Sequence, residues 1–365
     1  MSDNNHQAYY NLRFDPNNPL QVGGQAVIEG VMMRAPGRIA TAVRRANGEI
    51  VVQKKEYRSL AERHKMFKLP ILRGAVGLIE MMFIGIETLN FSGEIAMHDL
   101  ELEKQKNGTP SLKSLTLQCS SDEELRRAGS DGTAPKKKKA SSSVKLALTV
   151  LFSLIVGVAV FFVTPLFITT KLFNVEQNAF GFNLIAGAIR LSILLGYLVV
   201  ISLMKDVKRL FEYHGAEHKA VFTFEKMGEL TPVSATQYTR FHPRCGTSFI
   251  LIVMVISMLL FSVLDSLIIL WLGKISLLVR LLTHLPLIPL VGGVAYEFIR
   301  WSAKKSSTSF GKMLVAPGLW LQRITTQEPD HTQLEVALVA IKCALGIDDI
   351  PQVTYVHHAS ELAIQ

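Results

Sequence analysis

The stretch His214-Gly-Ala-Glu217-His218 sets two imidazoles four residues apart, with a carboxylate beside the second. On a helix, positions four apart share a face. Two such rings can hold one zinc ion, and an adjacent Glu217 can serve as general base on a water at that ion. Downstream, Phe241-His242-Pro-Arg-Cys245-Gly246 adds one imidazole and one thiol. Pro243 and Gly246 are expected to fix a turn that presents Arg244 and Cys245. Glu297 should fall at the same level, at the end of an apolar segment. The candidate metal ligands are therefore His214, His218, His242, Cys245 and Glu297, and Glu217 is the candidate catalytic residue. The expected cofactor is a divalent metal. Histidine with cysteine suits zinc, and an added carboxylate also suits iron or manganese. The plainer alternative is two interfacial histidines that cap or pair with acidic neighbours such as Glu212.

The elements that must position these groups begin with apolar runs. The 365-residue chain is 49% hydrophobic yet carries a net charge of +9. That pairing points to apolar spans with basic flanks, not to a nucleic-acid binder, and the aromatics concentrate in the apolar runs. No nucleic-acid partner is expected. Three scattered cysteines, Cys119, Cys245 and Cys343, argue against a disulfide framework and for a reducing compartment. Residues 1–20 are polar with no apolar core, so they read as a flexible tail and not as a signal peptide.

Leu146–Thr170 holds 25 residues without a charge, enough to cross a bilayer. Asn183–Met204, Ser248–Leu272 and Ile275–Ile299 are three further spans, the last interrupted by Arg280, His284, Pro286, Pro289 and Glu297. The expected fold is a polytopic α-helical membrane protein with about four transmembrane helices in two hairpins, 145–204 and 248–300. The His/Cys connection 205–247 lies between them, and Lys205 to Met227 is expected to continue the second span as helix.

Basic residues set the orientation. The 205–247 connection carries Lys205, Lys208, Arg209, Lys219, Lys226, Arg240 and Arg244, whereas the opposite connections carry only Lys171 and Lys274. Lys136 to Lys139 and Lys145 precede the first span, and Arg300, Lys304, Lys305 and Lys312 follow the last. Four spans then place both termini and the His/Cys connection in the cytosol of a cell with this chain in its inner (plasma) membrane. The lipid bilayer is the primary partner, and the polar segments leave room for a cytosolic protein partner or a homo-oligomer.

The remaining segments are smaller. Residues 21–68 read as a small β-rich cytosolic domain, because Ala46-Asn47-Gly48 between apolar alternations signals a hairpin. Upstream, Gln21 to Arg34 reads as another strand interrupted by glycines, with Gln25 and Glu29 in structural use. Residues 69–98 read as an amphipathic or re-entrant helix, with Arg73, Glu80 and Glu87 seven apart on one face. Residues 99–144, with four consecutive lysines, read as a disordered basic linker. In 301–365, Asp330 is a candidate N-cap, Thr332 to Leu345 a helix and Gly346 its stop. Inside the bundle, Asp265 is expected to pair with Arg190 or Arg280 near His284, as structural ion pairing more than as a solute path.

Several segments together resemble the YqhQ-like family of bacterial and plastid membrane proteins. They are Val22-Gly-Gly-Gln-Ala-Val-Ile-Glu-Gly-Val-Met-Met-Arg34, Leu72-Arg-Gly-Ala-Val76, Tyr213-His-Gly-Ala-Glu-His-Lys219, His242-Pro-Arg-Cys-Gly-Thr-Ser248 and Thr325-Thr-Gln-Glu-Pro329. The resemblance runs from about residue 20 to 345. It implies a domain of unknown function that often carries the label of predicted metal-dependent enzyme, and it names no substrate. Three functions compete: a zinc-dependent hydrolase at the cytosolic face, a metal-stabilised scaffold for a cytosolic partner, and a small-solute or lipid transporter built on the intramembrane charges.

Overall fold

A computed structural model describes residues 22–60, 64–106, 148–149, 151–304, 308–347 and 350–363. The expected tail 1–20, and the lysine run with most of the expected linker 99–144, lie outside the described residues.

Four strands form an antiparallel meander: β1 (Gly23–Val27), β2 (Gly30–Ala35), β3 (Arg38–Arg44) and β4 (Ile50–Glu56). The Asn47-Gly48 turn joins β3 to β4 as expected, with Gly48 at φ 89°. The glycine-interrupted segment upstream is two strands, not one. Val27 pairs with Gly30 across a two-residue turn in which Glu29 takes φ 52°. A fifth strand, β5 (Val353–Val356), runs parallel to β4 and completes the sheet from the far end of the sequence.

Both sheet faces are covered. Val31, Met33, Ala40, Ala42 and Val52 pack with Leu334, Leu338 and Ile341 of the C-terminal helix. Val27, Met32, Ile39, Val43 and Val51 pack with Phe91 and Ile95 of the long helix α1 (Leu72–Lys106). This helix runs eight residues past the expected boundary at 98, into the segment read as linker. Its Glu80 accepts from Ser59 and the Leu60 N–H, and its Glu87 pairs with Lys55. Its Leu78, Ile79, Met82, Phe83 and Ile86 stay exposed.

Among the described residues, four helices are long and apolar enough to cross a membrane: α2 (Leu151–Leu172), α3 (Ala179–Ser202), and the Phe249–Leu272 and Leu277–Ser302 stretches of α5 (Gly246–Leu272) and α6 (Leu277–Lys304). Phe162, Leu166, Phe182, Ala186, Phe261 and Val291 form their shared core. Between α3 and α5 lies α4 (Lys205–Glu225). It does not continue the second span: Leu203 and Met204 interrupt the helix and Met204 takes an extended ψ of 133°. The break frees α4 to lie against the sheet and the C-terminal helix, through Tyr213, Ala216, Ala220 and Phe224.

After α6 come α7 (Ser309–Thr325) and α8 (His331–Ala344). Asp330 caps α8, as the sequence predicts, and the structure adds a full capping box with Gln333. Gly346 at φ 86° follows its end.

Candidate metal centre

His214 and His218 lie on one face of α4, as their spacing requires, with ring centroids 4.5 Å apart. Cys245 reaches them from the turn that caps α5. One ligand atom from each of His214, His218 and Cys245 falls within 4.8 Å of the other two. The His214 Nε2 lies 3.3 Å from the Cys245 Sγ. These three residues can hold a single metal ion.

The opposite edge of each ring is held by backbone. His214 Nδ1 meets the Thr325 carbonyl at 2.8 Å, and His218 Nδ1 meets the Arg240 carbonyl. A carbonyl can only accept, so both rings carry their proton on Nδ1 and turn a bare Nε2 inward. The His218 Nε2 is buried with no hydrogen-bond partner among the described residues. Burial pushes the His218 imidazole below its ordinary range, which favours the neutral, ligating form. The Cys245 sulfur sits at the N-terminus of α5 and accepts from the Thr247 N–H at 3.4 Å.

Glu217 is beside the cluster. Its Oε1 accepts from the Gly24 N–H of β1 at 3.0 Å, and its Oε2 lies 3.5 Å from the His218 Nε2. Burial raises its carboxyl above the usual range, against the pull of the His214 and His242 imidazoles. Gly24 has a steric reason to be glycine: a Cβ there would come within 2.2 Å of the Met32 carbonyl and 3.2 Å of the Glu217 Cγ.

Two expected ligands fall outside the set. His242 is near, 5.7 Å from the His218 ring centroid to centroid, but its nitrogens are engaged elsewhere. Its Nδ1 accepts from the Arg244 N–H at 3.2 Å, and its Nε2 faces the Glu225 carboxylate at 3.4 Å. Burial lowers its pKa as well. The Glu297 carboxylate is taken by Arg73 of α1 in a two-point pair, Oε1 with Nε at 2.6 Å and Oε2 with Nη2 at 2.5 Å. Spacing from a span end cannot reveal an arginine arriving from a helix more than two hundred residues earlier.

The supporting residues carry no ligand signal in the sequence, although the resemblance includes Thr325–Pro329. Gln322 of α7 clasps the turn before α5, accepting from the His242 N–H and donating to the His242 carbonyl, each at 2.8 Å. The 325–328 segment lies against α4 through the Gln327 N–H, which donates to the Phe211 carbonyl at 2.8 Å, and through a Lys219–Glu328 ion pair. Gly215 permits this approach: a Cβ would stand 2.1 Å from the Gln327 carbonyl oxygen. The Thr325-Thr-Gln-Glu-Pro329 motif thus has a physical role as the backing of His214.

Inside the bundle, Asp265 pairs with Arg280 at 2.9 Å and with His284 at 2.9 Å. Arg190 takes no part. It donates instead to the Phe161 carbonyl at 3.0 Å, within the π-helical turn Ala159–Val163 of α2.

Comparison with known proteins finds no matching solved structure. "Uncharacterized protein YqhQ" of Bacillus subtilis (strain 168) is 31% identical over 339 residues, covering 92% of this chain and 95% of that relative. A family described as "Protein of unknown function (DUF1385)" matches residues 69–347, which hold α1, the four apolar helices and all three clustered ligands. The chain belongs to this YqhQ-like DUF1385 family.

Proposed function

We propose that this chain is a polytopic membrane protein that carries a zinc ion on His214, His218 and Cys245 at the cytosolic face, and that the centre is hydrolytic, with Glu217 as its base. One observation carries the reading: two imidazoles hold their Nδ1 protons on carbonyls and present bare Nε2 atoms beside one thiol, and the buried His218 Nε2 has no hydrogen-bond partner among the described residues, facing the Glu217 Oε2 at 3.5 Å. The 3.3 Å between the His214 Nε2 and the Cys245 Sγ fits the roughly 3.5 Å expected for tetrahedral zinc with N and S ligands.

Three protein ligands are the number found in catalytic zinc sites, which keep a fourth position open. When bound there, zinc supplies Lewis-acid polarisation and brings a bound water's pKa toward neutrality. Glu217 can take and return a proton at its Oε2, because burial holds its pKa up and the Gly24 N–H fixes the other oxygen. The long apolar helices, with side chains such as Trp271 at 89% exposure, support the bilayer as partner. The two-hairpin topology with both termini cytosolic rests on the basic residues flanking the spans. The exposed apolar face of α1 supports its lying in the membrane interface.

The test is Glu217→Gln in the full chain, reconstituted in lipid and assayed with an activated ester for hydrolysis and by elemental analysis for zinc. The expected result is retained zinc and a loss of about 10²–10⁴-fold in rate. Unchanged hydrolysis would remove Glu217 as the base.

A second reading has its own observation. Glu217 and His218 are only 6% and 2% exposed, as suits a closed structural site with the Glu217 Oε2 as fourth ligand. Such a clamp would tie the sheet domain to the bundle and leave that domain to a cytosolic partner or a second copy. Glu217→Gln would then lose zinc affinity and stability together.

A further inference from the structure

A second polar cluster lies about 30 Å along α5 from Cys245, twenty residues of helix away. Asp265, Arg280 and His284 are fully buried, and Asn183 is buried beside them. The Asp265 Oδ2 accepts from Arg280 Nε at 2.9 Å and from Asn183 Nδ2 at 2.7 Å. Its Oδ1 meets the His284 Nε2 at 2.9 Å. Arg280 also donates from Nη2 to the Glu176 carbonyl at 2.6 Å, and its guanidinium stacks 3.5 Å above the Phe182 ring. The His284 ring stacks on Phe261, with centroids 4.0 Å apart and 4° between planes. Two buried polar atoms of this cluster have no hydrogen-bond partner among the described residues: Arg280 Nη1 and His284 Nδ1.

A structural ion pair needs only Asp265 and Arg280, whose charges already cancel. The cluster spends a third titratable group beyond that. The Asp265 carboxylate can only accept, so the neutral His284 ring places its proton on Nε2 and leaves Nδ1 a bare, buried base. Buried polar atoms without partners are rare and call for an explanation. An ionisable group inside a membrane helix is a functional-site hypothesis, and here the third group exceeds what ion pairing alone requires.

We propose that the Asp265–His284 pair is a proton-binding site inside the bundle, with His284 Nδ1 as the atom that receives the proton. One N–H bond forms at Nδ1, and the Nε2–H bond either stays on the ring, donating to Asp265, or breaks as an O–H bond forms at its Oδ1, so a proton entering at one edge of the ring can leave at the other. The cluster's charge rises from zero to plus one. Asp265 from α5 faces His284, and Arg280 on α6 itself and the neutral Asn183 from α3 bond the same carboxylate, while α2 packs nearby through the apolar Phe162 and Leu166. The 173–178 and 273–276 connections border the cluster: Arg280 reaches the Glu176 carbonyl, and Gln177 bonds the Ile275 backbone.

The experiment is ¹⁵N NMR of histidine-labelled full chain in lipid nanodiscs, from about pH 5 to about pH 8. His284 is assigned through its contact with the Phe261 ring, without need of a variant. The expected result is conversion of a ring with bare Nδ1 into imidazolium within that range, a conversion that Asp265→Asn suppresses by removing the charge that stabilises it. Proteoliposomes of His284→Gln should take up fewer protons than the parent under an imposed pH gradient. A His284 ring that stays neutral across the range, with Nδ1 held by a fixed water, would overturn the proposal and leave a structural pair. Equal uptake by the parent and His284→Gln liposomes would also overturn it.

Discussion

Gly215→Ala sets two physical effects in opposition. Gly215 lies inside the helix α4, where alanine is worth about 1 kcal/mol more than glycine. By propensity alone the variant is more stable. The structure predicts the reverse. The new Cβ would stand 2.1 Å from the Gln327 carbonyl oxygen and 3.3 Å from the Pro329 Cδ. The nearest neighbour is backbone, so relief requires moving the 325–329 segment by roughly 1 Å, and overpacking of this kind costs about 1–3 kcal/mol. The shift also strains the Gln327 N–H bond to Phe211, worth about 1 kcal/mol. Summed, the variant should lose about 1–3 kcal/mol. The same shift draws the Thr325 carbonyl from His214 Nδ1, and loss of such a support weakens metal binding about 10–100-fold. Chemical denaturation of the full chain in nanodiscs measures the first effect, and zinc competition titration the second. An alanine variant as stable as the parent, with unchanged zinc affinity, would refute the claim that this close approach orients His214.

Three further predictions follow from the same contacts. Gln322→Ala strips partners from the buried His242 N–H and carbonyl, and should cost about 1–3 kcal/mol in denaturation measurements. Asp330→Ala removes the capping box of α8 and should cost about 0.5–2 kcal/mol, with Asp330→Asn nearer the parent. Glu297→Gln should leave zinc content intact, because Arg73 and not the metal cluster holds that carboxylate; the half-exposed pair should contribute no more than about 1 kcal/mol. Zinc loss in Glu297→Gln would reinstate the carboxylate as a ligand.

Much of this architecture is readable from residue patterns. Apolar runs bounded by charge announce the four long helices, since a bilayer-length run without charges has few other uses. Asn47-Gly48 announces its hairpin, and Asp330 with Gly346 brackets α8, because these residue types match backbone conformations that others resist. The four-residue spacing of His214 and His218 is likewise a local property of helices. What escapes is set by long-range packing. The turn at Ile28-Glu29 uses a left-handed glutamate with no turn signature. The strand Val353–Val356 is too short to stand out before its parallel partner is known. The break at Met204 lies where an apolar helix meets a basic one, a boundary that helical periodicity passes over. Ligand choice is the sharpest case. His242 has the right type and neighbourhood, yet Arg244 and Glu225 take its nitrogens, and carbonyls of Thr325 and Arg240, invisible in side-chain chemistry, fix the rings that remain.

X-ray absorption at the zinc edge of the purified full chain tests the metal centre most directly. One zinc per chain, with two imidazole nitrogens and one sulfur around it, is the predicted shell, and Cys245→Ser should abolish the sulfur scattering while His242→Gln leaves the shell intact. A chain purified under zinc-replete conditions with no zinc, or with a shell that lacks sulfur, would contradict a centre built on His214, His218 and Cys245.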